Sequence, residues 1–292
     1  MTLFTGAGTA LVTPFLNGEV DFSSLGQLID WQIQQDIDAL IICGTTGEAS
    51  TLNDEEHIAT VEFAVKHTAG RVPVIGGAGS NDTSHAIEMS QALEQVGVDG
   101  LLLVTPYYNK CSERGLITHY TAIADSVDIP AIVYSVPGRT GVNISPFVVK
   151  NLRDHPNIVG IKEASGNIAQ VVEIAKYVDD DFALYSGNDE MIVPLLSVGG
   201  IGAISVVSNI APQDTHLMIK KYLDGDTESA CKLQLAMKSL IDAMFCEVNP
   251  IPIKAALYYM GKIGLEYRLP LCEPAPESIG LIKRELSSYG LI

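Results

Sequence analysis

Positive charge is scarce in this sequence, and the shortage bears on its partners. There are 18 Lys and Arg residues against 35 Asp and Glu residues, so the formal net charge at pH 7 is −17. A protein that binds the phosphate backbone of a nucleic acid needs basic residues to replace the bound counterions. The charge balance therefore argues against nucleic acid as a partner.

Cysteine is also rare, and its spacing argues against two kinds of structural support. The five cysteines are odd in number, scattered along the chain and never arranged as C-x-x-C. This pattern is unlike a disulfide framework or a structural zinc site, and it is typical of a protein kept in a reducing cytosol. The six histidines form no H-E-x-x-H motif, and the sequence has no Walker A loop and no G-x-S-x-G elbow. Nothing in the motifs points to a metal or a nucleotide cofactor.

Long apolar segments are few, and neither of the two candidates indicates a membrane protein. The first 20 residues lack a basic region and contain Pro14 within their apolar run, so we expect no signal peptide and a cytoplasmic protein. Residues 191–213 carry no charge, but Pro194, Pro212 and a glycine cluster at 199–202 interrupt them. We therefore predict a short helix, a turn and a strand there, rather than a membrane span.

Short β-branched runs alternate with longer helical patterns along most of the chain. Eight such runs are candidate strands: residues 8–12, 39–43, 72–76, 100–104, 131–134, 158–162, 182–186 and 202–205. Eight strand–helix units predict a parallel sheet closed into a (β/α)8 barrel. The main alternative is an open doubly wound sheet, but Asp82 stands where the nucleotide-binding fingerprint needs its third glycine. We expect a catalytic barrel over residues 1–225 and a helical extension over residues 226–292 that packs beside it.

One lysine stands where a buried strand should end. The stretch "NIVGIKEASGN" (residues 157–167) begins as an apolar strand and then places Lys162 near its end. Active sites of (β/α)8 barrels lie at the C-terminal ends of the strands. A desolvated lysine loses its proton more readily and can form a Schiff base with a ketone or an aldehyde. The residues equally allow a lysine that extends to the barrel mouth or pairs with a carboxylate.

Other candidate side chains follow the predicted strands at the same end of the barrel. Tyr134 ends the fifth strand and could exchange protons, although a buried tyrosine with one hydrogen bond is the commoner case. Thr45 and Thr46 could offer hydroxyl groups to a carboxylate or simply stabilise a turn. Arg139 could bind a carboxylate through two hydrogen bonds, which few surface arginines do. Lys254 lies in the helical extension, and we take it to be structural and distant from every strand end.

Five short motifs together resemble those of a known enzyme family. They are "GTTGE" (44–48), "TPYYNK" (105–110), "YSVPGRTG" (134–141), "GIKEASGN" (160–167) and "NPIPIK" (249–254). In this order and spacing, over nearly the whole chain, they resemble the dihydrodipicolinate synthase family. Its superfamily includes the N-acetylneuraminate lyases and the 2-keto-3-deoxy sugar acid aldolases, which form a lysine Schiff base with pyruvate. The resemblance implies a barrel enzyme that requires no metal and no organic cofactor.

The resemblance also implies roles for individual residues. Lys162 matches the lysine that forms the Schiff base with pyruvate. Tyr134 matches a tyrosine that shuttles protons, and its partners in the family are matched by Thr45 and by Tyr108. In the family, the tyrosine at the position of Tyr108 is donated across a subunit interface. Thr46 matches the residue that holds the carboxylate of pyruvate.

The choice of second substrate rests on fewer residues. Arg139 matches the arginine that receives the carboxylate of aspartate semialdehyde, and Gly187 and Ile204 match backbone positions that line the pocket. Arg139 and the paired threonines favour the synthase reaction, which gives 4-hydroxy-tetrahydrodipicolinate in lysine and diaminopimelate biosynthesis. A neuraminate lyase or sugar acid aldolase is the alternative, and a non-catalytic barrel that senses a keto acid is a third. Ser135 replaces the family's usual asparagine, and we expect it to change only a local hydrogen bond.

The resemblance extends to regulation and assembly, with one departure. Lysine-sensitive members build an inhibitor site at a subunit interface, and three positions match it: Asn81, Tyr107 and His57. Three others stand where those members tend to have serine, histidine and glutamate: Ala49, Asp54 and His85. Without the glutamate, the ammonium of lysine loses an anionic partner, so we expect weak or absent inhibition. The family also implies a homotetramer built as a dimer of dimers.

Overall fold

Eight parallel strands close into a barrel in the computed structural model, which describes residues 2–292. Each strand pairs with its neighbours in chain order, and the last pairs with the first. The predicted (β/α)8 fold is therefore confirmed. The strands are β1 (Gly6–Ala10), β2 (Ala39–Ile42), β3 (Val74–Gly77), β4 (Gly100–Val104), β5 (Ala131–Ser135), β6 (Ile158–Glu163), β7 (Ala183–Ser186) and β8 (Gly202–Ser205).

Side chains of the strands divide between two apolar layers, because successive residues point to opposite faces. Ile132 and Tyr134 of β5 pack in the barrel interior, whereas Val133 between them packs with the helices. Ile161 of β6 also belongs to the outer layer, so the next residue, Lys162, points inward. The register of β5 with β6 pairs Tyr134 with Lys162. Two reactive side chains thus share the interior near its C-terminal end.

Helices surround the barrel, and several begin at residues whose side chains cap them. Asn53 starts α2 with a capping box shared with Glu56, and Asp21 and Asp82 cap α1 and α3. The helices of the barrel are α1 (Phe22–Gln34), α2 (Asp54–Thr68), α3 (Thr83–Gln95), α4 (Glu113–Ala124), α5 (Pro137–Thr140), α6 (Pro146–Leu152), α7 (Ile168–Ala175), α8 (Ile192–Leu196) and α9 (Pro212–Leu223).

Four further helices form the C-terminal part of the chain. Helix α10 (Thr227–Ala236) packs along α9, and α13 (Pro276–Tyr289) packs against α11 (Lys238–Met244) and α12 (Ile251–Tyr259). The predicted division after residue 225 falls in the turn between α9 and α10, and it stays a prediction. No helix within residues 2–292 is both long and apolar enough to cross a membrane.

The structure differs from the sequence prediction at three local points, the first being β1, which spans Gly6–Ala10 rather than residues 8–12. Strand β3 begins at Val74 rather than at residue 72, because Pro73 has no N–H to donate to a neighbouring strand. A two-stranded hairpin, Phe15–Leu16 with Glu19–Val20, follows β1 and was not predicted. Its turn is Asn17-Gly18, both with positive φ, which is a strong hairpin signal in any sequence. The uncharged stretch at residues 191–213 forms a short helix, a turn and a strand, as predicted.

Candidate active site

Lys162 lies at the centre of the candidate site, near the C-terminal end of β6. It is 5% exposed, and its Nζ atom stands 4.2 Å from the centre of the Tyr134 ring. Burial lowers the pKa of Lys162 to about 7, while the Asp189 carboxyl raises it and the Arg139 guanidinium lowers it further. A large fraction of this amine is therefore unprotonated at neutral pH, as a nucleophile requires.

Gly187 and Ile204 lie against the same interior space. A Cβ atom on Gly187 would stand 3.0 Å from Cε of Lys162 and 2.7 Å from Cβ of Ala164, which is closer than packed carbons allow. Glycine at this position therefore leaves room for the lysine side chain. Ile204 of β8 is fully buried in the inner apolar cluster that also contains Tyr134. The structure thus brings both predicted pocket residues to Lys162 and Tyr134.

Tyr134 faces Lys162 and has a polar partner of its own. The phenol is 6% exposed. Burial raises the pKa of Tyr134 to about 12, whereas Arg139 and a side-chain hydrogen bond with Thr45 act in the opposite direction. The phenol therefore stays protonated at neutral pH, and Thr45 is in place to exchange a proton with it.

The carboxyl groups of Glu163 and Asp189 lie near Lys162, the first in the chain and the second in space. Glu163 points away from the barrel interior, as alternation along β6 requires, and accepts hydrogen bonds from Gln170 Nε2 at 2.9 Å and from the N–H of Ser165 at 3.1 Å. Asp189, which follows β7, is buried, and its Oδ2 accepts from the N–H groups of Val206 and Val207. Burial raises the pKa of the Asp189 carboxyl. Sequence reasoning assigned this residue no role.

Thr46 and Arg139 meet at a residue that sequence reasoning missed. Asn249, just before α12, donates from Nδ2 to the Thr46 hydroxyl at 2.9 Å. Its backbone carbonyl accepts from Nη2 of Arg139 at 3.1 Å. The two predicted carboxylate-binding residues therefore converge on one asparagine of the C-terminal helices. The available signal was the motif "NPIPIK", of which Asn249 is the first residue.

The expectation that Lys254 is distant from every strand end is wrong. Its Nζ lies 2.5 Å from Oε1 of Glu48, which closes the loop after β2, and neither side chain has any exposed surface. The two residues are 206 positions apart in sequence. Helix α12 packs over the catalytic end of the barrel, so a residue of the extension reaches a strand-end loop.

The two tyrosines of "TPYYNK" differ in their surroundings. Tyr107 is half-exposed and lines a cavity, and its carbonyl accepts from Nδ2 of Asn81 at 3.1 Å. Tyr108 is 94% exposed and has a φ of 69°, a left-handed conformation that bulky residues rarely adopt. The structure therefore does not bring Tyr108 to Tyr134 within one chain.

One cavity of about 440 Å³ is lined by some residues of the candidate active site, but not by Lys162, and by most of the predicted regulatory positions. From the site, Thr45, Tyr134 and Arg139 line it. The part formed by the predicted regulatory positions is called the regulatory side below and includes His57, His85, Ala49 and Asp54. On that side, Nε2 of His57 lies 2.8 Å from the Gly77 carbonyl, and burial lowers the pKa of this imidazole. His85 bridges Asp54 Oδ1 at 3.0 Å and Ser80 Oγ at 3.2 Å.

The side chain of Ser135, which stands where the family usually has asparagine, makes local hydrogen bonds. The Ser135 hydroxyl donates to Oδ1 of Asn143 at 3.3 Å and accepts from the N–H of Ile144 at 3.1 Å, so it takes part in a local hydrogen-bond network.

Across residues 2–292 no group of three or more His, Cys, Asp or Glu side chains is arranged to hold a metal ion.

Known proteins resemble the chain over its whole length. The model of the dihydrodipicolinate synthetase family matches residues 3–287. The 4-hydroxy-tetrahydrodipicolinate synthase of Acetivibrio thermocellus is 51% identical over 290 residues, which are 99% of each chain. The crystal structure of dihydrodipicolinate synthase from Thermotoga maritima is similar with a TM-score of 0.98, at 41% identity and with 100% of both chains covered. The enzyme from Acinetobacter baumannii complexed with pyruvate is similar with a TM-score of 0.97, again at 41% identity and over 100% of both chains. With a buried lysine at the sixth strand end and relatives of this similarity, the chain belongs to the dihydrodipicolinate synthetase family.

Proposed function

We propose that this chain condenses pyruvate with L-aspartate 4-semialdehyde to give 4-hydroxy-tetrahydrodipicolinate. The observation that carries the proposal is the buried amine of Lys162, which has a pKa of about 7 and lies beside Tyr134. An unprotonated amine in a dry pocket attacks ketones readily. The reaction of the relatives named above supports the same substrates.

The proposed sequence of steps uses Lys162 as the covalent catalyst. Its amine adds to the ketone of pyruvate, and loss of water leaves a protonated imine. The imine withdraws electrons, so a methyl proton leaves and an enamine forms. The enamine carbon attacks the aldehyde of the second substrate, whose own amine then closes the ring and expels Lys162. Overall one water and one proton are released, and no net oxidation or reduction takes place, so the steps need no oxidant or reductant.

Four further residues handle protons and carboxylates in this proposal. Tyr134 and Thr45 move protons to and from the substrate, because the phenol is buried next to the reacting amine and the threonine is its hydrogen-bond partner. Thr46 holds the carboxylate of pyruvate, and Arg139 at the barrel mouth receives the carboxylate of the semialdehyde. Their common contact with Asn249 supports a single substrate pocket.

We further propose a cytoplasmic homotetramer in which Tyr108 completes the site of a second subunit. Within one chain this tyrosine is almost fully exposed and its backbone is strained. A large aromatic side chain held outward in this way is suited to insertion into a partner. Five free cysteines support a reducing compartment.

Reductive trapping tests the proposed chemistry directly. Incubation with pyruvate and borohydride is expected to fix one pyruvate on Lys162, because reduction converts the imine into a stable secondary amine. Peptide mass mapping should find the mass of pyruvate, less one water and plus two hydrogens, on that residue alone. Absence of the adduct, with turnover still present, would refute the Schiff base. Assays with aspartate semialdehyde, N-acetylmannosamine and glyceraldehyde then distinguish the synthase from a lyase or sugar acid aldolase.

Free lysine is expected to inhibit this enzyme weakly or not at all. The regulatory side of the cavity has His85 where a glutamate would pair with the ammonium of lysine. We expect the inhibition by lysine to stay below the roughly fivefold effect typical of allosteric coupling. Steady-state rates measured over a lysine series test this, and strong inhibition at low lysine concentration would contradict it.

A double substitution provides the matched variant for this prediction. Asp54→His with His85→Glu exchanges two side chains that already contact each other at 3.0 Å, so the ion pair can be kept while the carboxylate moves. We expect this exchange to increase sensitivity to lysine without changing the rate in its absence. An unchanged response would show that the carboxylate alone does not decide regulation.

A further inference from the structure

A buried ion pair joins the loop after β2 to the C-terminal helices. The ammonium of Lys254 has no exposed surface and forms an ion pair with Glu48. Its Nζ also lies 4.3 Å from the ring centre of Phe15 and 5.2 Å from that of Tyr267, and the charges of Glu266 and Arg268 act on it as well. A buried ion pair contributes little net stability when the loss of hydration offsets the attraction. Its presence therefore calls for another explanation.

The anchored loop has a conformation that its own residues do not favour. Glu48 has a φ of 54° and Cys43 a φ of 53°, so two residues other than glycine adopt the left-handed region on either side of Thr45 and Thr46. Such a backbone persists only when the surroundings hold it in place. Backbone hydrogen bonds also hold the loop: the N–H of Glu48 donates to the Thr45 carbonyl at 3.2 Å, and the Glu48 carbonyl accepts from the N–H of Thr51 at 2.9 Å. From outside the loop, the Thr13 hydroxyl donates to the Gly47 carbonyl at 2.6 Å.

The segment that carries Lys254 also contacts the loop after β2 at a second point. Asn249, five residues earlier, donates to the Thr46 hydroxyl and accepts from Arg139. The loop is thus held at Glu48 by a charge pair and at Thr46 by a hydrogen bond, both from residues of the "NPIPIK" motif. A shift of this motif relative to the barrel would move both threonine hydroxyls.

We propose that Glu48 and Lys254 are positioning residues for the condensation, acting through the backbone that presents Thr45 and Thr46. The ion pair touches neither substrate. It holds the loop so that the Thr45 hydroxyl stays within reach of Tyr134 and the Thr46 hydroxyl stays at the pocket. This inference rests on the roles proposed above for the two threonines.

The first test separates positioning from stability. In the double variant Glu48→Met/Lys254→Met the pair becomes apolar at similar volume, so the melting temperature should stay close to that of the wild type. We nevertheless expect kcat to fall about 10²-fold, as misplacement by about 1 Å can cause, and KM for pyruvate to rise about tenfold. KM for the semialdehyde should change much less. A stable double variant with wild-type kcat and KM would overturn the proposal.

A control variant shows what general destabilisation does. Leu286 is fully buried in α13, and Leu286→Ala leaves a cavity in the same group of helices. We expect a lower melting temperature with kcat and KM unchanged at an assay temperature where the variant remains folded. An equal loss of kcat in this variant would mean that the loop responds to any weakening of the extension, which also overturns the specific role of the pair.

The second test remains decisive if the double variant fails to fold. Glu48→Asp keeps the charge, so Lys254 is not left as an unpaired buried ammonium, but it shortens the reach by one methylene. Positioning predicts that this variant loses about tenfold or more in kcat. Equal kinetics for Asp and wild type would overturn it. Borohydride trapping of pyruvate on wild-type Lys162 is run alongside: its failure would count against the proposed reaction, not against the ion pair alone.

Discussion

Replacing Lys162 with methionine is expected to abolish the condensation while leaving the fold intact. Methionine is unbranched, one atom shorter than lysine and suited to an apolar pocket, but it carries no amine, so the Schiff base cannot form. We expect kcat/KM to fall by roughly 10⁴-fold or more. Borohydride trapping with pyruvate should then give no adduct at this position. Steady-state kinetics and peptide mass mapping measure the two results.

The same substitution should make the protein more stable near neutral pH. The pKa of Lys162 is about 7 in the folded chain and about 10.4 in an unfolded chain. Between these two pKa values the unfolded wild-type chain binds more protons at this amine than the folded chain does. The free energy of unfolding of the wild type therefore rises with pH, until the amine is neutral in both states. Lys162→Met lacks this titration. Its advantage over the wild type should therefore shrink by roughly 1 kcal/mol per pH unit from pH 7 upward.

Urea unfolding at several pH values checks this expectation against a second lysine variant. Lys150→Met is the control, because that lysine is exposed on α6, outside the candidate site. It should keep full activity. If the free energies of unfolding of Lys162→Met and of the wild type changed with pH in parallel, the amine of Lys162 would not be desolvated, which would contradict its burial in the structure. Residual turnover at wild-type levels would end the proposal that Lys162 is the nucleophile.

Two tyrosine substitutions should each remove most of the activity and yet complement each other. Tyr134→Phe removes the buried phenol hydroxyl, and Tyr108→Phe removes the one proposed to come from a second subunit. Each loses a proton-transfer group, so kcat should fall by roughly 10² to 10⁴-fold. The Schiff base on Lys162 should still form in both variants, because the amine is unchanged. Trapping therefore separates these variants from Lys162→Met.

Co-expression of the two variants tests where the Tyr108 hydroxyl acts. In a mixed dimer, one site lacks both hydroxyls and the other has both, since each site takes Tyr134 from one subunit and Tyr108 from its partner. With random pairing half of the dimers are mixed, and one of their two sites is intact, so about a quarter of the wild-type activity should return. Tags of two kinds allow the mixed species to be purified and assayed.

The alternative outcome has an equally clear signature. If Tyr108 acted within its own chain, every subunit in the mixture would lack one hydroxyl, and the activity would stay at the level of the separate variants. A co-expressed pair of Tyr134→Phe subunits with different tags is the control and should remain inactive. Gel filtration of the wild type shows whether the active species is larger than a monomer, and a fully active monomer would contradict the proposed tetramer.

The barrel and the position of Lys162 could be predicted from the sequence because both depend on local patterns. Alternation of strands and helices requires a parallel sheet, and eight units close it. Period-two alternation then places Lys162 on the inner face and Glu163 on the outer face, as the structure has them. The hairpin at Asn17-Gly18 was missed although its signal is equally local.

Contacts between residues far apart in the chain could not be predicted in this way. Neither Glu48 nor Lys254 has a feature that reveals its partner 206 positions away, and Asn249 carries no signal of its hydrogen bond to Thr46. Asp189 is similar: its effect on the pKa of Lys162 depends on how β6 and β7 lie in space. Pairing across such distances is decided by how the helices pack on the barrel.

The sequence by itself determined the order of strands and helices, the face on which each strand residue lies, and the set of reactive side chains at the strand ends. These follow from periodicity and turn chemistry, which act over a few residues. Only the tertiary structure decided how deeply Lys162 is buried, and therefore that its pKa falls to about 7. Desolvation is a property of everything packed around the amine, and those atoms come from strands and loops along the whole chain.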